Sequence, residues 1–179
     1  MTHAADWVAV EDALHAEVVR LSGYAGERVI WDNQGAPRPE LPFITLRLDG
    51  FDDPGWAGEL TVADATDPEP GADILLGRRV HLEGTLTITA FADPRTGAGS
   101  ARAVLTRIRA GLNLDSTTEN LDISGVSIFG LGVVQDATVL VETEYESRAI
   151  MNARLRVSDG AEDLTTWIES VETTPTFEE

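Results

Sequence analysis

The chain of 179 residues contains no cysteine and no lysine. Without cysteine there is no disulfide framework, no thiolate nucleophile and no thiolate metal site. This leaves the compartment open, because a cysteine-free chain folds in either redox setting. Without lysine, all 13 basic side chains are arginine, permanently charged and shaped as a planar fork of donors. Basic charge is scarce against 31 acidic side chains, and the formal net charge is -18. Such a surface repels phosphate backbones and argues against sequence-specific DNA or RNA binding. DNA passing nearby is another matter, since a negatively lined channel lets a duplex slide without sticking.

Long apolar runs are missing too. No stretch approaches about 18 consecutive apolar residues, so no membrane span is expected. The first residues lack the basic-then-apolar order of a signal peptide. Three histidines, His3, His15 and His81, show no metal-binding spacing and are expected at the surface, His15 on the polar side of a helix. There is no G-x-S-x-G, no P-loop and no dinucleotide fingerprint. Gly84, Gly130 and Gly132 are expected to mark bulges or close backbone approaches in strands. Neither Asp49, Asp52, Asp53 and Glu59 nor Asp64, Asp67, Glu69 and Asp73 keep the ligand spacing of a calcium loop. No catalytic residue, cofactor site or metal site is therefore assigned, although weak divalent binding stays open.

What is present reads as one domain over residues 1–179. Residues 4–22 carry Trp7, Val10, Leu14, Val18 and Leu21 at helical spacing, with Gly23 as a stop. Residues 28–31 form a short strand, and the proline-rich stretch 35–42 forms a loop. Residues 43–48 alternate, with Ile44, Leu46 and Leu48 on one face and Thr45 and Arg47 on the other. Residues 49–73 hold eight acidic side chains and no basic one, and read as an exposed loop or an extended hairpin. An acidic insertion at about 49–76 is the expectation. Residues 80–91 alternate clearly, Val80, Leu82, Leu86, Ile88 and Ala90 against His81, Glu83, Thr85, Thr87 and Thr89. Ser100 caps a second helix with the stripe Ala101, Val104, Leu105, Ile108 and Leu112.

Residues 126–134 and 138–144 read as a pair of strands. Residues 148–157 follow as another, Ala149, Met151, Ala153, Leu155 and Val157 facing inward. A last strand is expected at 166–171 and a loose tail at about 173–179. Trp7 and Trp167 are expected in the core. The fold class is α+β, a mostly antiparallel β-sheet with two main α-helices packed on one face.

Surfaces hold the functional signal. Arg148, Arg154 and Arg156 share the outward face of their strand, whereas residues 110–147 carry seven acidic groups and no basic one. One reading is a positive face that meets an acidic face on a neighbouring subunit; the other is cross-strand ion pairing within one sheet. Trp56 in the acidic loop is a plausible partner anchor, and Trp31, beside the proline-rich loop, either anchors a partner or pins that loop to its own domain. With Gln34, Pro37, Arg38 and Pro39, these residues make up the candidate subunit or partner interface.

Two motifs resemble a known family. The first is Arg28-Val29-Ile30-Trp31, then Gln34, Pro37-Arg38-Pro39 and Pro42-Phe43-Ile44-Thr45-Leu46-Arg47-Leu48. The second is Asp136-Ala137-Thr138, Val141 and Glu144-Tyr145-Glu146-Ser147-Arg148-Ala149, leading into Asn152-Ala153-Arg154-Leu155-Arg156-Val157. Behind the leading helix, this order resembles the phage neck-terminator family of tail-terminator or tail-completion proteins, from about residue 5 to about residue 172. The resemblance implies a structural virion protein without catalytic residues. It implies a ring, usually of six subunits, that caps the tail tube, ends its polymerisation and meets the head–tail connector. Partners would be further copies of the chain, the tail-tube protein and connector proteins. The location would be the virion, and the bacterial cytoplasm during assembly. A head-completion or tail-tube subunit, or a small acidic binding module, are the alternatives.

Overall fold

The computed structural model describes residues 5–32, 35, 37–53, 59–62, 73–92, 100–141 and 144–166, with the backbone alone at 59–62, 73–79, 141, 144 and 160–166. Helix α1 spans Trp7–Ser22. The Asp6 carboxylate accepts a hydrogen bond from the Ala9 N–H at 3.1 Å, satisfying one of the free amides of the first turn. Gly23, at φ 67°, ends the helix in a left-handed turn and donates to the Val19 carbonyl. Val10, Leu14 and Val18 recur every fourth residue and are buried. Helix α2, Ala101–Gly111, is capped by the Ser100 hydroxyl, which accepts from the Ala103 N–H at 3.2 Å. Its stripe Ala101, Val104, Leu105 and Ile108 is buried.

Among the described residues there are eight strands, in chain order β1 Val29–Trp31, β2 Phe43–Asp52, β3 Glu59–Val62, β4 Asp73–Ala92, β5 Val126–Leu131, β6 Gln135–Asp136, β7 Val139–Val141 and β8 Glu144–Thr166. The sheet runs β1-β2-β4-β8-β5, with β3 on β4 and both β6 and β7 on β8. Only β1 and β2 are parallel; the other pairs are antiparallel. The centre is the β4–β8 pair, in unbroken register from Asp73↔Thr166 to Ala92↔Ser147.

Alternation decides which face is buried. Ala149, Met151, Ala153, Leu155 and Val157 on β8 join Leu86, Ile88 and Ala90 on β4 and Ile44 and Leu46 on β2 in one core with the helices. Helix α2 lies on β4 and β8, and α1 packs on α2 and β1. Each fully buried Leu, Ile or Val contributes roughly 1.5–3 kcal/mol relative to exposure. These observations bear out the α+β class with helices on one face.

Several expectations need correction. A third helix, α3, spans Asp115–Asp122. It buries only Thr117 and Leu121, too few apolar positions to show a stripe. The expected last strand at 166–171 is not separate: β8 runs without a break to Thr166, and residues 167–171, with Trp167, lie outside the described residues. The segments 126–134 and 138–144 break into β5, β6 and β7, which all pair with β8 and not with each other. Trp7 is 37% exposed, because it starts its helix and lies edge-to-face on Phe51 at 4.6 Å instead of entering the core. His15 is no free surface group; its Nε2 donates to the Val29 carbonyl at 2.8 Å and ties α1 to β1. Of the acidic span 49–76, residues 49–52, 59–62 and 73–76 are strand, the hairpin alternative, while 54–58 and 63–72 lie outside the described residues. His3 and the tail 173–179 lie outside them as well.

Candidate interface on the uncovered face of the sheet

The helices leave the opposite face of the sheet open. In register across β2, β4 and β8, Phe43 faces Phe91 and Phe91 faces Arg148. The rings of Phe43 and Phe91 stack at 4.4 Å with 10° between their planes. Arg38, carried by the proline-rich loop, places its guanidinium 5.0 Å from the Phe43 centroid and 5.4 Å from that of Phe91. Arg148 places its guanidinium 4.7 Å from the Phe91 centroid. Cation–π contacts of this kind are worth about 0.5–1 kcal/mol where exposed and more where desolvated.

Glu146 joins the two arginines. It accepts hydrogen bonds from Arg38 and, at 3.1 Å, from Arg148. Burial pushes its carboxyl up, but the hydrogen bonds and charges of the two guanidinium groups outweigh this and hold it below the usual range. One carboxylate thus fixes two cations over a two-ring floor. Beside the cluster lies a cavity of about 250 Å³, lined by Ile30, Trp31, Asp32, Thr45 and the Arg38, Phe43, Phe91 and Arg148 side chains.

A second cluster sits further along β8. Glu83 faces Arg156 directly across the β4–β8 pair. It accepts from Arg156 Nε at 2.8 Å and from Arg154 at 3.4 Å. Both guanidinium groups flank the Phe129 ring, at 4.8 and 4.7 Å. The β5–β8 register shifts between Ile128 and Gly130, and this bulge brings Phe129 beside the arginines.

The candidate interface is therefore divided. Trp31, Arg38 and Arg148 come together at the cavity, held by a loop on which Pro37 is exposed and Pro39 half-buried. Arg154 and Arg156 belong to the second cluster. Gln34 and Trp56 lie outside the described residues. Arg154 and Arg156 take the cross-strand ion-pairing form that was one of the two readings of the strip, both on Glu83 of β4, whereas Arg148 pairs with Glu146 on its own strand. Phe43, Phe91, Phe129, Glu83 and Glu146 were not singled out from sequence. For Phe43 and Glu146 the signal was parity: Phe43 shares the outward row with Thr45 and Arg47, and Glu146 lies two residues before Arg148.

Among the described residues no group of three or more His, Cys, Asp or Glu side chains could hold a metal ion. Among the same residues no helix is long and apolar enough to cross a membrane. Fold and site together define an α+β protein whose distinctive chemistry is an open, arginine-studded sheet face. The family model described as Phage neck terminator protein matches residues 8–179, and the chain belongs to that family. It is thus a structural protein of the phage neck, a part of the virion. No curated protein matches the chain.

Proposed function

We propose that the chain forms a closed ring, of six copies, that caps the phage tail tube, ends its polymerisation and joins the tail to the head connector. Family membership across residues 8–179 is the observation that carries this reading. Its partners are further copies of the chain, tail-tube subunits and connector proteins, assembled in the bacterial cytoplasm and retained in the virion. No reaction, cofactor or metal is part of the proposal.

A closed ring needs two different patches on each subunit, meeting head to tail. The open sheet face supplies one candidate, with Arg38, Arg148, Arg154 and Arg156 held in fixed positions by Glu146 and Glu83. Helix α3, with Asp115, Glu119 and Asp122 exposed, supplies a patch of opposite sign. Fixed guanidinium forks lose little entropy on meeting a partner, so the internal ion pairs favour recognition as well as folding. The net charge of -18 suits a ring through which DNA passes without adhering.

The test is to add the purified chain to polymerising tail-tube subunits and image the products by negative stain. Rings of one size, alone and on tube tips, with tubes shortened in proportion to added chain, are expected. If the chain alone grows into open-ended tubes, it is a tube subunit. If it neither forms rings nor binds tubes or connectors, the neck-ring assignment is wrong and an acidic binding module takes its place.

A further inference from the structure

The cavity beside Arg38 has an aromatic floor and two guanidinium groups on its rim, the surroundings suited to an apolar side chain followed by carboxylates. Residues 172–179 of this chain have that composition, as does the stretch Phe51-Asp52-Asp53, whose Phe51 is already packed on Trp7. Residues 172–179 read Glu-Thr-Thr-Pro-Thr-Phe-Glu-Glu, with three carboxylates, one aromatic and no basic residue. Distance prevents residues 172–179 from filling the cavity of their own subunit. Arg148 and Thr166 are both on β8, eighteen residues apart. At roughly 3.3 Å per residue they are about 60 Å apart. No register shift interrupts the β4–β8 pair over this length, so no bulge folds the strand back. Phe177 follows Thr166 by eleven residues. Fully extended, these cover at most about 40 Å.

We infer that residues 175–179 of a second copy occupy this cavity, Phe177 on the Phe43–Phe91 floor and Glu178 and Glu179 at Arg38 and Arg148. The proposal rests on the ring reading only in that a ring brings the second copy within reach. Charge is balanced and not one-sided, because Glu146 already pairs with both guanidinium groups and Asp32 also lines the cavity and opposes an acidic occupant. Removing that charge is therefore part of the test.

The absence of cysteine makes a clean cross-linking experiment possible. A tagged chain with Thr45→Cys is mixed with an untagged chain with Thr176→Cys, which keeps Phe177, under mild oxidation, and light scattering is recorded on the same samples. A tagged–untagged covalent band is expected, reduced about fivefold by adding Arg38→Glu to the tagged chain. Rings without that band overturn the proposal and leave the ring standing. If the chain stays monomeric at every salt concentration, a labelled peptide of residues 167–179 is titrated against the full-length chain. Saturable binding, weakened about tenfold by Arg38→Glu and tightened by Asp32→Asn, then supports the cavity assignment while the ring reading fails alone. No saturable binding overturns it.

Discussion

Gly132 shows how one missing methyl group can position two strands. A Cβ there would lie 2.9 Å from the Asn152 carbonyl oxygen, which is backbone and cannot rotate aside. The same glycine donates to that carbonyl at 2.8 Å and accepts from Arg109 Nε at 3.0 Å. Gly132→Ala should therefore destabilise the fold by about 1–3 kcal/mol through overpacking. Gly26 is the contrasting position, where a Cβ meets only His15 Cε1 at 3.9 Å. Gly26→Ala should leave the denaturation midpoint within experimental scatter or raise it slightly. Equal effects at both sites would show that close approach is not what selects Gly132. Glu146 supports a second prediction at this scale. Its carboxyl is held low by Arg38 and Arg148 against the opposing effect of burial. A folded value below the unfolded one, about 4.3 for Glu, means stability that is fully present above that pH. It is lost as pH falls through the folded value. Glu146→Gln should lower the melting temperature at neutral pH, and the gap to the parent should close on acidification. A gap that stays constant from neutral to acidic pH would refute the assignment.

Elements differed in how plainly the sequence showed them, and the reasons are physical. Residues 80–91 and 148–157 alternate because one face meets the helices and the other meets water, so half of β4 and half of β8 could be read directly. Their outer halves could not. Gly77-Arg78-Arg79 and Asp159-Gly160 interrupt the alternation, and pairing between the strands, not local pattern, makes them extended. Helix α3 was hidden for the related reason that polar contacts hold it. The Thr117 hydroxyl donates to the Gly111 carbonyl at 2.9 Å and accepts from Arg20 at 2.8 Å. Glu17, itself buried, accepts from Asn120 at 2.6 Å and from Arg20. Thr117→Val keeps the shape but leaves these groups unsatisfied, and should cost about 1–3 kcal/mol in chemical denaturation. An unchanged midpoint would mean that Leu121 alone anchors α3. The candidate site was legible in the same uneven way. The arginine strip follows from strand parity, whereas Glu83 as its partner depends on cross-strand register, and Phe129 depends on a bulge that breaks the period-two reading.

At the scale of the whole molecule, two electrostatic effects oppose each other in any ring. Copies that each carry -18 repel, and this repulsion acts across the full separation of their surfaces. Arginine–carboxylate contacts attract, but only where a few groups come within hydrogen-bond distance. Salt separates the two by range. The screening length is about 10 Å at 0.1 M and about 3 Å at 1 M, so added salt removes the long-range repulsion first. Contacts between copies that are shielded from solvent, to the degree that Glu146 is shielded within one copy, where its side chain is only 10% exposed, lose much less. Assembly should therefore strengthen with ionic strength. Between about 0.05 and about 0.5 M sodium chloride the apparent dissociation constant should fall by about tenfold, measured as the midpoint of a dilution series by light scattering. The arginine surface also predicts how variants respond. Arg154→Gln with Arg156→Gln removes two positive charges and makes each copy more acidic, so assembly at low salt should weaken more than assembly at high salt. A ring that instead loosens steadily as salt is added would be held by exposed charge attraction. The interface would then have to be sought among rim ion pairs and not in the aromatic-floored cavity.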